Sequence, residues 1–266
     1  MYLFYLAKPT YGGWVSFTAH MSLKYNYPIF KVAKRKENRN RNYGYSTTYT
    51  NVDNEYIKTL DKKKILITAL DKHYVDIIDN FYGCSLVIHD PTELKLIIDH
   101  SRFNIITIRE SVSKLLSERG INNTFKPHPF FPWTKMPKKL CNEAVSISRI
   151  DYDKNIDIIL DANSVIENNA IKIYGKQNEL CVFHKLRHLN FAKHYYGRFE
   201  KCFRELEKIL ENSWAVVDMS SIKNDGGGTQ YTFLEAIYCD CILILNKAWT
   251  SHPESIWTDK NSITVK

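Results

Sequence analysis

Short apolar runs alternate along the chain with segments in which apolar residues recur at helical spacing. The runs are bounded by turn residues and have the length of buried strands, whereas the segments between them have the length of helices. Strands are predicted at 2–7, 27–32, 64–70, 85–88, 104–108, 143–147, 170–175, 214–217 and 241–245, and helices at 14–23, 73–81, 111–119, 156–166, 199–210 and 231–238. This succession predicts an α/β protein with mainly parallel sheets and helices on both faces.

Two of the predicted turns between a strand and a helix contain consecutive glycines. Gly12 and Gly13 precede the first helix, and glycines 226–228 precede the helix that begins near Tyr231. Glycine lets backbone N–H groups approach a ligand, and a helix N-terminus adds unpaired donors and about half a positive charge. Both turns therefore predict anion sites, with Glu235 inside the second helix to accept hydrogen bonds from hydroxyl groups. A flexible surface loop is the alternative interpretation of the triple-glycine stretch.

Charged side chains also follow predicted strands, where the ligand sites of parallel sheets lie. Arg149 and Lys154 come after the strand at 143–147, and His89 and Asp90 come directly after another strand. Arginine offers a rigid fork for phosphate oxygens and lysine a mobile point charge, so the pair suits a diphosphate. Surface salt bridges between these two cations and the neighbouring aspartates are the alternative interpretation.

The chain has 266 residues, which is enough for one large domain or two small ones. The proline-rich segment 126–139 is the best candidate for a boundary, because proline cannot serve a central strand. We therefore predict an N-terminal domain over residues 1–139 and a C-terminal domain over residues 140–266. Apolar runs stay well short of the roughly 20 residues that a bilayer requires, and no leader pattern begins the chain. A cytoplasmic protein is expected, within an infected host cell if a phage encodes it.

The net charge of +8 favours a polyanionic partner such as nucleic acid or nucleotide phosphates. Basic side chains and tyrosines concentrate between residues 34 and 45, where the sequence has no apolar periodicity. Cations there could neutralise phosphates while tyrosines stack on bases, although a solvated loop would have the same composition. The candidate nucleic-acid-binding residues are Lys34, Arg35, Lys36, Arg39, Arg41, Tyr43 and Tyr45.

The six cysteines are scattered, mostly within apolar runs, as expected for reduced thiols of a core. Cys181, His184 and His188 have the spacing of neighbours on one helix, but a fourth zinc ligand is not evident. A helix carrying two surface histidines is favoured over a zinc site. We assign no Asp-x-Asp pair to a divalent cation, and we expect neither a metal nor a cofactor.

Several of these segments together resemble the retaining glycosyltransferases of the GT-B fold. Residues 148–157, the turn at 173–175 and residues 226–244 are similar to the donor-binding domain of that family, and residues 11–13 and 87–90 to its N-terminal domain. The resemblance implies two Rossmann-like domains whose parallel sheets face a central cleft. It also implies a nucleotide-sugar donor, such as a UDP-sugar, as a substrate rather than a cofactor.

The family pattern assigns a role to each matching position. Arg149 and Lys154 would hold the diphosphate and take part in catalysis, and Glu235 would bind the ribose. His89 would face the donor sugar, with Asp90 beside it, and both would take part in catalysis. The remaining donor-binding positions would be Gly12, Gly13, Gly175, Gly227, Gly228, Thr229 and Gln230. In one departure, Gly227 occupies the place of a second acid that the family often has eight residues before the ribose-binding one.

The resemblance implies transfer of a hexosyl or pentosyl group to a hydroxyl, with retention of configuration. Phage enzymes that glycosylate hydroxymethylated bases such as hydroxymethylcytosine are similar, and the basic charge suits their double-stranded DNA acceptor, whether or not its base already carries a sugar. A polysaccharide or glycolipid acceptor is an alternative. An inactive GT-B-fold module that only binds nucleic acid is another. The sequence does not predict the oligomeric state.

Overall fold

The structure is a computed structural model that describes residues 1–33, 43–135, 137–138, 141–168, 170–198, 202–221, 228–250 and 261–265, with only the backbone of residues 248 and 250. It forms two compact units, Met1–Pro132 and Trp133–Lys266. The division falls inside the proline-rich segment in which the sequence predicts a boundary. Six of the predicted site residues lie outside the described ones, namely Lys34, Arg35, Lys36, Arg39, Arg41 and Gly227.

The first unit is built on a parallel sheet with strand order β3-β2-β1-β4-β5-β6-β7 in the described residues. Its strands are β1 Tyr2–Leu6, β2 Ile29–Val32, β3 Tyr49–Val52, β4 Ile65–Leu70, β5 Ser85–Ile88, β6 Asn104–Thr107 and β7 Thr124–Phe125, and its α-helices are α1 Gly13–Tyr25, α2 Asn54–Thr59 and α3 Glu110–Glu118. Short 3₁₀ helices cover Gly44–Ser46, Lys62–Lys64, Val75–Phe81, Pro91–Leu96 and His100–Arg102.

The core of the first unit follows from the composition of its central strands. All six residues of β4 are buried, as expected of a parallel strand that is covered on both faces. Phe4 of β1 packs against both Phe30 and Phe81. The carboxyl ends of the strands therefore rest on a rigid base.

The second unit has its own parallel sheet, with strand order β12-β11-β10-β8-β9 in the part of the chain that the structure describes. Its strands are β8 Ala144–Ile147, β9 Lys172–Tyr174, β10 Ala215–Asp218, β11 Ile242–Asn246 and β12 Ser262–Val265. Its α-helices are α4 Ile156–Val165, α5 Glu179–Cys181, α6 Phe191–His194, α7 Phe203–Leu210, α8 Tyr231–Tyr238 and α9 Lys247–Thr250, and a π-helical turn covers Val182–Leu186. Trp133 stacks on Phe203 with ring centroids 4.6 Å apart, which anchors the start of the unit to α7.

The parallel α/β architecture predicted from the sequence pattern is confirmed, because every strand pairing in both sheets is parallel. Some elements differ from expectation. The helix predicted at 73–81 is a 3₁₀ helix over Val75–Phe81. Strands β3, β7 and β12 were not predicted. Among the described helices, none has the length and hydropathy that crossing a bilayer requires.

Each sheet has one point at which the strand order reverses direction. In the first unit it lies between β1 and β4, and in the second it lies between β8 and β10. Connections leave the carboxyl ends of these neighbouring strands in opposite directions, so a crevice opens between them. Ligands of open parallel sheets bind at such crevices, which makes these two places the candidate sites.

Candidate functional site

In the second unit, the loops that follow β8 and β10 are joined by hydrogen bonds at the point of reversal. Lys154 Nζ donates to Ser220 Oγ at 3.1 Å, and Asn155 Nδ2 donates to the carbonyl of Met219 and to Ser221 Oγ, both at 2.9 Å. The backbone N–H of Ser221 also donates to the carbonyl of Asp153 at 2.9 Å. The predicted diphosphate-binding Lys154 is thus held at the crevice between the two strands.

Arg149, the other predicted diphosphate ligand, lies on the same loop as Lys154. Its guanidinium group contacts Asp151 at 2.9 Å and Asp153 at 3.5 Å, and its side chain is 57% exposed. The structure therefore contains the salt bridges that the sequence offered as an alternative. Ion pairs this exposed contribute roughly 0–1 kcal/mol, so a diphosphate can exchange for the carboxylates at little cost.

Gly175 directly follows β9, in a position that only glycine can occupy. Its φ is +149°, and a Cβ added there would lie 1.7 Å from the carbonyl oxygen of Ser148. This close approach lets Ser148 N–H donate to the carbonyl of Tyr174 at 3.1 Å and Ile150 N–H to that of Lys176 at 2.9 Å. Gly175 thereby sets the course of the loop that carries Arg149, and its predicted contact with the donor stays a prediction.

The described part of the triple-glycine stretch leads directly into α8. Gly228 has a φ of +104°, Thr229 is buried, and Gln230 is the N-cap residue, with no side chain capping the helix. The side chain of Gln230 does not cap α8, and a helix N-terminus is where an anion site is expected.

Glu235 and Tyr231 lie on α8 in the interior. Glu235 is 0% exposed, and burial raises the pKa of the Tyr231 phenol well above its usual range. A ribose hydroxyl would have to replace groups that now cover the Glu235 carboxylate. Its predicted contact with the ribose therefore stays a prediction.

In the first unit, Gly12 lies between β1 and α1, and Gly13 is the first residue of α1. Gly12 is the N-cap residue of α1, with φ +103°, which favours glycine. A Cβ at either glycine would meet no atom within 4 Å. The requirement for glycine at position 12 is therefore conformational, and no atom of the described residues crowds the turn.

His89 follows β5 and is fixed through its ring and its backbone. Nε2 lies 2.8 Å from the carbonyl oxygen of Thr68, so this nitrogen carries the proton. Burial lowers the pKa of the imidazole to about 4, and the ring is neutral at neutral pH. Phe17 packs edge-on against it at 5.1 Å, and the guanidinium group of Arg109 donates to the His89 carbonyl, with Nε at 3.2 Å.

Glu93 is not among the residues predicted from the sequence, although its carboxylate joins the two predicted loops of the first unit. One oxygen accepts a hydrogen bond from Trp14 Nε1 and the other from the backbone N–H of His89, both at 2.9 Å. Asp90 caps the 3₁₀ helix that carries Glu93, accepting from Thr92 N–H at 2.8 Å. The sequence signal for Glu93 is the Asp-x-x-Glu spacing directly after a strand, which is similar to a capping box.

Tyr43 and Tyr45 were predicted to stack on bases, and the structure corrects this expectation. They are 6% and 5% exposed. Tyr43 stacks on Tyr49 at 3.7 Å and accepts a hydrogen bond from Lys31 Nζ at 2.6 Å, and the Tyr45 hydroxyl contacts Ser16 Oγ at 3.2 Å. Both rings are buried because they contact a buried lysine, neighbouring aromatic rings or Ser16. Neither ring is therefore available to a base.

Among the residues that the structure describes, no group of three or more His, Cys, Asp or Glu side chains is placed to hold a metal ion. Cys181 is buried, whereas His184 and His188 are exposed. The three therefore do not form the zinc site that their spacing allowed. The expected independence from metals stays a prediction.

Comparisons with known proteins place these features in a recognised fold. No protein-family model matches the chain, and no curated protein matches its sequence significantly. Among solved structures, HepE from Anabaena in complex with UDP and glucose is similar, with a TM-score of 0.67 and 11% identity over 100% of this chain and 85% of that one. An alpha-glucosyltransferase in complex with UDP and a 13-mer DNA containing a HMU base has a TM-score of 0.63 and 13% identity, over 93% of this chain and 80% of that one.

TarM has a TM-score of 0.58 and 17% identity, over 80% of this chain and 47% of that one. Identities this low show the fold alone. The fold that these chains share with the present one is GT-B, built from two Rossmann-like domains, as the sequence predicts.

Proposed function

We propose that this GT-B-fold chain is a glycosyltransferase that moves a sugar from a nucleoside-diphosphate sugar to an acceptor hydroxyl. The observation that carries the proposal is the joined pair of loops at the β8–β10 reversal, with Lys154 held by Ser220 and Arg149 nearby on the same loop. Solved structures of similar fold contain UDP, which favours a UDP-sugar as the donor.

The proposed chemistry depends on charge that grows on the leaving diphosphate. Lys154 and Arg149 supply positive charge, and the N-terminal end of α8 supplies an oriented dipole. Groups already in place at a reaction centre stabilise such charge without reorganisation. Retention of configuration is part of the proposal, as the sequence resemblance implies.

The neutral imidazole of His89 is proposed to contact the donor sugar. Because Nε2–H is engaged by Thr68, the contact would use Nδ1 as an acceptor from a sugar hydroxyl. A pKa of about 4 argues against a role for the imidazolium ion at neutral pH.

Replacing Lys154 by Met tests the donor site. We expect turnover of the donor to fall about a hundredfold, which is about 3 kcal/mol of barrier, because one preorganised cation is lost. Transfer and hydrolysis of a panel of radiolabelled nucleotide-sugars would be measured at matched protein concentrations.

The matched control is Lys172→Met. The Lys172 ammonium group also has a side-chain partner, the Glu143 carboxylate at 2.6 Å, but Lys172 begins β9, at the amino-terminal ends of the strands. The control should keep its turnover. A wild-type protein that turns over none of the donors would overturn the proposed activity, and equal turnover by wild type and Lys154→Met would remove Lys154 from the site.

We further propose a hydroxymethylated base in double-stranded DNA as the acceptor. Two observations favour it: a fold match is bound to DNA that contains a HMU base, and the net charge is +8. Mass spectrometry of hydroxymethylated DNA and of glycan acceptors after incubation with mixed donors would test it. A mass increase on the DNA nucleoside supports the proposal, whereas one confined to glycans would favour a polysaccharide or glycolipid acceptor.

A further inference from the structure

The Glu93 carboxylate links two segments that are far apart in the sequence but adjacent in the first unit. Trp14 follows Gly13 in the first turn of α1, whereas His89 directly follows β5. One Glu93 oxygen accepts a hydrogen bond from Trp14 Nε1, and the other accepts one from His89 N–H. The glycine turn and the carboxyl end of β5 are thus held by one side chain.

This arrangement favours the charged form of the side chain. An indole N–H and a backbone N–H can only donate, so both oxygens of Glu93 must accept. A glutamine at this position would satisfy one donor and direct its NH₂ group at the other. The two bonds therefore specify a carboxylate rather than any polar side chain of similar size.

Stability alone gives little reason for such a group in the interior. Glu93 is 7% exposed, and burying a charged carboxylate is costly even when it is hydrogen-bonded. Apolar side chains of similar volume often stabilise a protein as well as a buried polar group does. What the carboxylate provides is a fixed geometry for two loops, both of which contain predicted donor-binding residues.

We propose that Glu93 is a positioning residue, whose carboxylate holds the Gly12–Gly13 turn and His89 in the arrangement that productive donor binding requires. This inference rests on the proposed function. Glu93 acts through Trp14 and His89 and does not itself contact the donor.

The surroundings of Glu93 make this link dependent on pH. Burial raises the pKa of Glu93 to about 7, and the charge of Asp90 acts in the same direction. The pKa values of His89 and His128 are instead lowered, to about 4 and about 3, mainly by burial. The positive charge of Arg109 contributes to both decreases. His20 of α1 contributes to the lowering at His128. With these pKa values, His89 and His128 stay neutral between pH 6 and 8, whereas Glu93 changes charge in that range.

The link can be tested without any activity by ¹⁵N NMR of the whole protein. The Trp14 indole signal, assigned by its loss in Trp14→Phe, should shift with pH with a midpoint near 7 in the wild type. In Glu93→Gln the midpoint should vanish, and the amide signals of Gly12, Gly13 and His89 should move or broaden. A Trp14 signal that does not respond to pH, or Gly12 and His89 amides unchanged by Glu93→Gln, would overturn the inference.

The kinetic test compares Glu93→Gln with Lys62→Met. Lys62 also donates hydrogen bonds, to the carbonyls of Ile57 at 3.1 Å and Asn80 at 2.6 Å. It precedes β4 and so lies at the amino-terminal ends of the strands, away from Glu93. In the wild type, kcat/KM for the donor should decline below pH 7 as Glu93 is protonated. We expect Glu93→Gln to lower kcat/KM about tenfold at pH 8 and to make it less dependent on pH below 7. Lys62→Met should keep the wild-type pH profile even if it is less stable.

The two hypotheses fail in different ways. An inactive wild type with a normal NMR titration would overturn the proposed function and leave the link between the loops intact. An active wild type whose pH profile is unchanged by Glu93→Gln would overturn the positioning role alone.

Discussion

At the scale of single residues, burial decides how the candidate groups behave. His89, Glu93 and Glu235 are all covered, and the first two have pKa values displaced in opposite directions, to about 4 and about 7. Burial favours the neutral form in both cases. The two pKa values move in opposite directions because the neutral form of histidine is the base and that of glutamate is the acid. The protonation states around β5 are therefore set by the interior rather than by the solvent.

His89 makes the stability of the protein depend on pH in a direction that can be measured. Its folded pKa of about 4 lies below the ordinary value of 6.5, so its contribution is present above pH 6.5 and is lost as the pH falls towards 4. Glu93 has the opposite sign, and its contribution is lost as the pH rises through 7. A comparison of variants at one site separates the two effects.

We expect the difference in unfolding free energy between wild type and His89→Gln to shrink by about 2 kcal/mol between pH 7 and pH 5. Urea unfolding at both pH values would measure it. The exposed His73 provides the control, since His73→Gln should leave the difference unchanged. A pH-independent difference for His89→Gln would mean that His89 titrates normally in the folded protein.

At the scale of secondary structure elements, close contacts between strand ends define the donor loops. Gly175 brings the end of β9 against Ser148, and the loop after β8 in turn reaches the loop after β10 through Asn155. Because each loop is positioned by the next, a displacement of the backbone at the end of β9 would also displace the cations on the loop after β8.

Gly175→Ala tests this dependence. The added Cβ would lie 1.7 Å from the Ser148 oxygen, so the backbone has to shift, and we expect a loss of roughly 3 kcal/mol or more in unfolding free energy, together with weaker binding of UDP. Gly197→Ala is the matched control, because φ is also positive there, at +97°, but no atom lies within 4 Å. Equal losses for both variants would show that strain in φ, and not the clash, limits position 175.

Sequence patterns predicted the interior elements better than those at the edges. The buried strands β1, β4, β5, β8 and β10 have continuous apolar runs, and helix α8 was predicted with its observed bounds. The three strands that were not predicted, β3, β7 and β12, lie at sheet edges and are mostly exposed, so no apolar run marks them.

The candidate site was predictable to the extent that it depends on local geometry. Lys154 and Gly12 follow strands and lie where parallel sheets bind ligands, as expected. The burial of Tyr43 and the contacts of Glu93 depend on partners distant in sequence, Lys31 for the first and Trp14 for the second. A linear pattern does not contain such pairings.

At the scale of the whole molecule, the charge of +8 is the property most relevant to the acceptor. Cations that replace the counterions of DNA make binding strongly dependent on salt, whichever basic residues are involved. The burial of Tyr43 and Tyr45 removes two rings proposed to stack on bases, but it does not alter this electrostatic contribution.

We expect affinity for duplex DNA to fall by at least about a hundredfold between roughly 50 and 200 mM salt. Fluorescence anisotropy with hydroxymethylated and unmodified duplexes of one sequence would measure it. Sedimentation with acidic vesicles at the same salt concentrations is the comparison. Undetectable or salt-insensitive DNA binding, with retention on vesicles, would contradict a DNA acceptor.

The parallel pairing of both sheets also determines when the protein can fold. Tyr2 of β1 pairs with Ile65 of β4, and Ala144 of β8 pairs with Ala215 of β10, so each central strand completes its ladder only with a partner made much later. Contacts between residues so far apart slow folding, because a long loop must close before they form. During synthesis on the ribosome, the apolar strands β1 and β8 therefore wait half-covered for their second neighbour, and this interval is when the nascent chain is most exposed to aggregation.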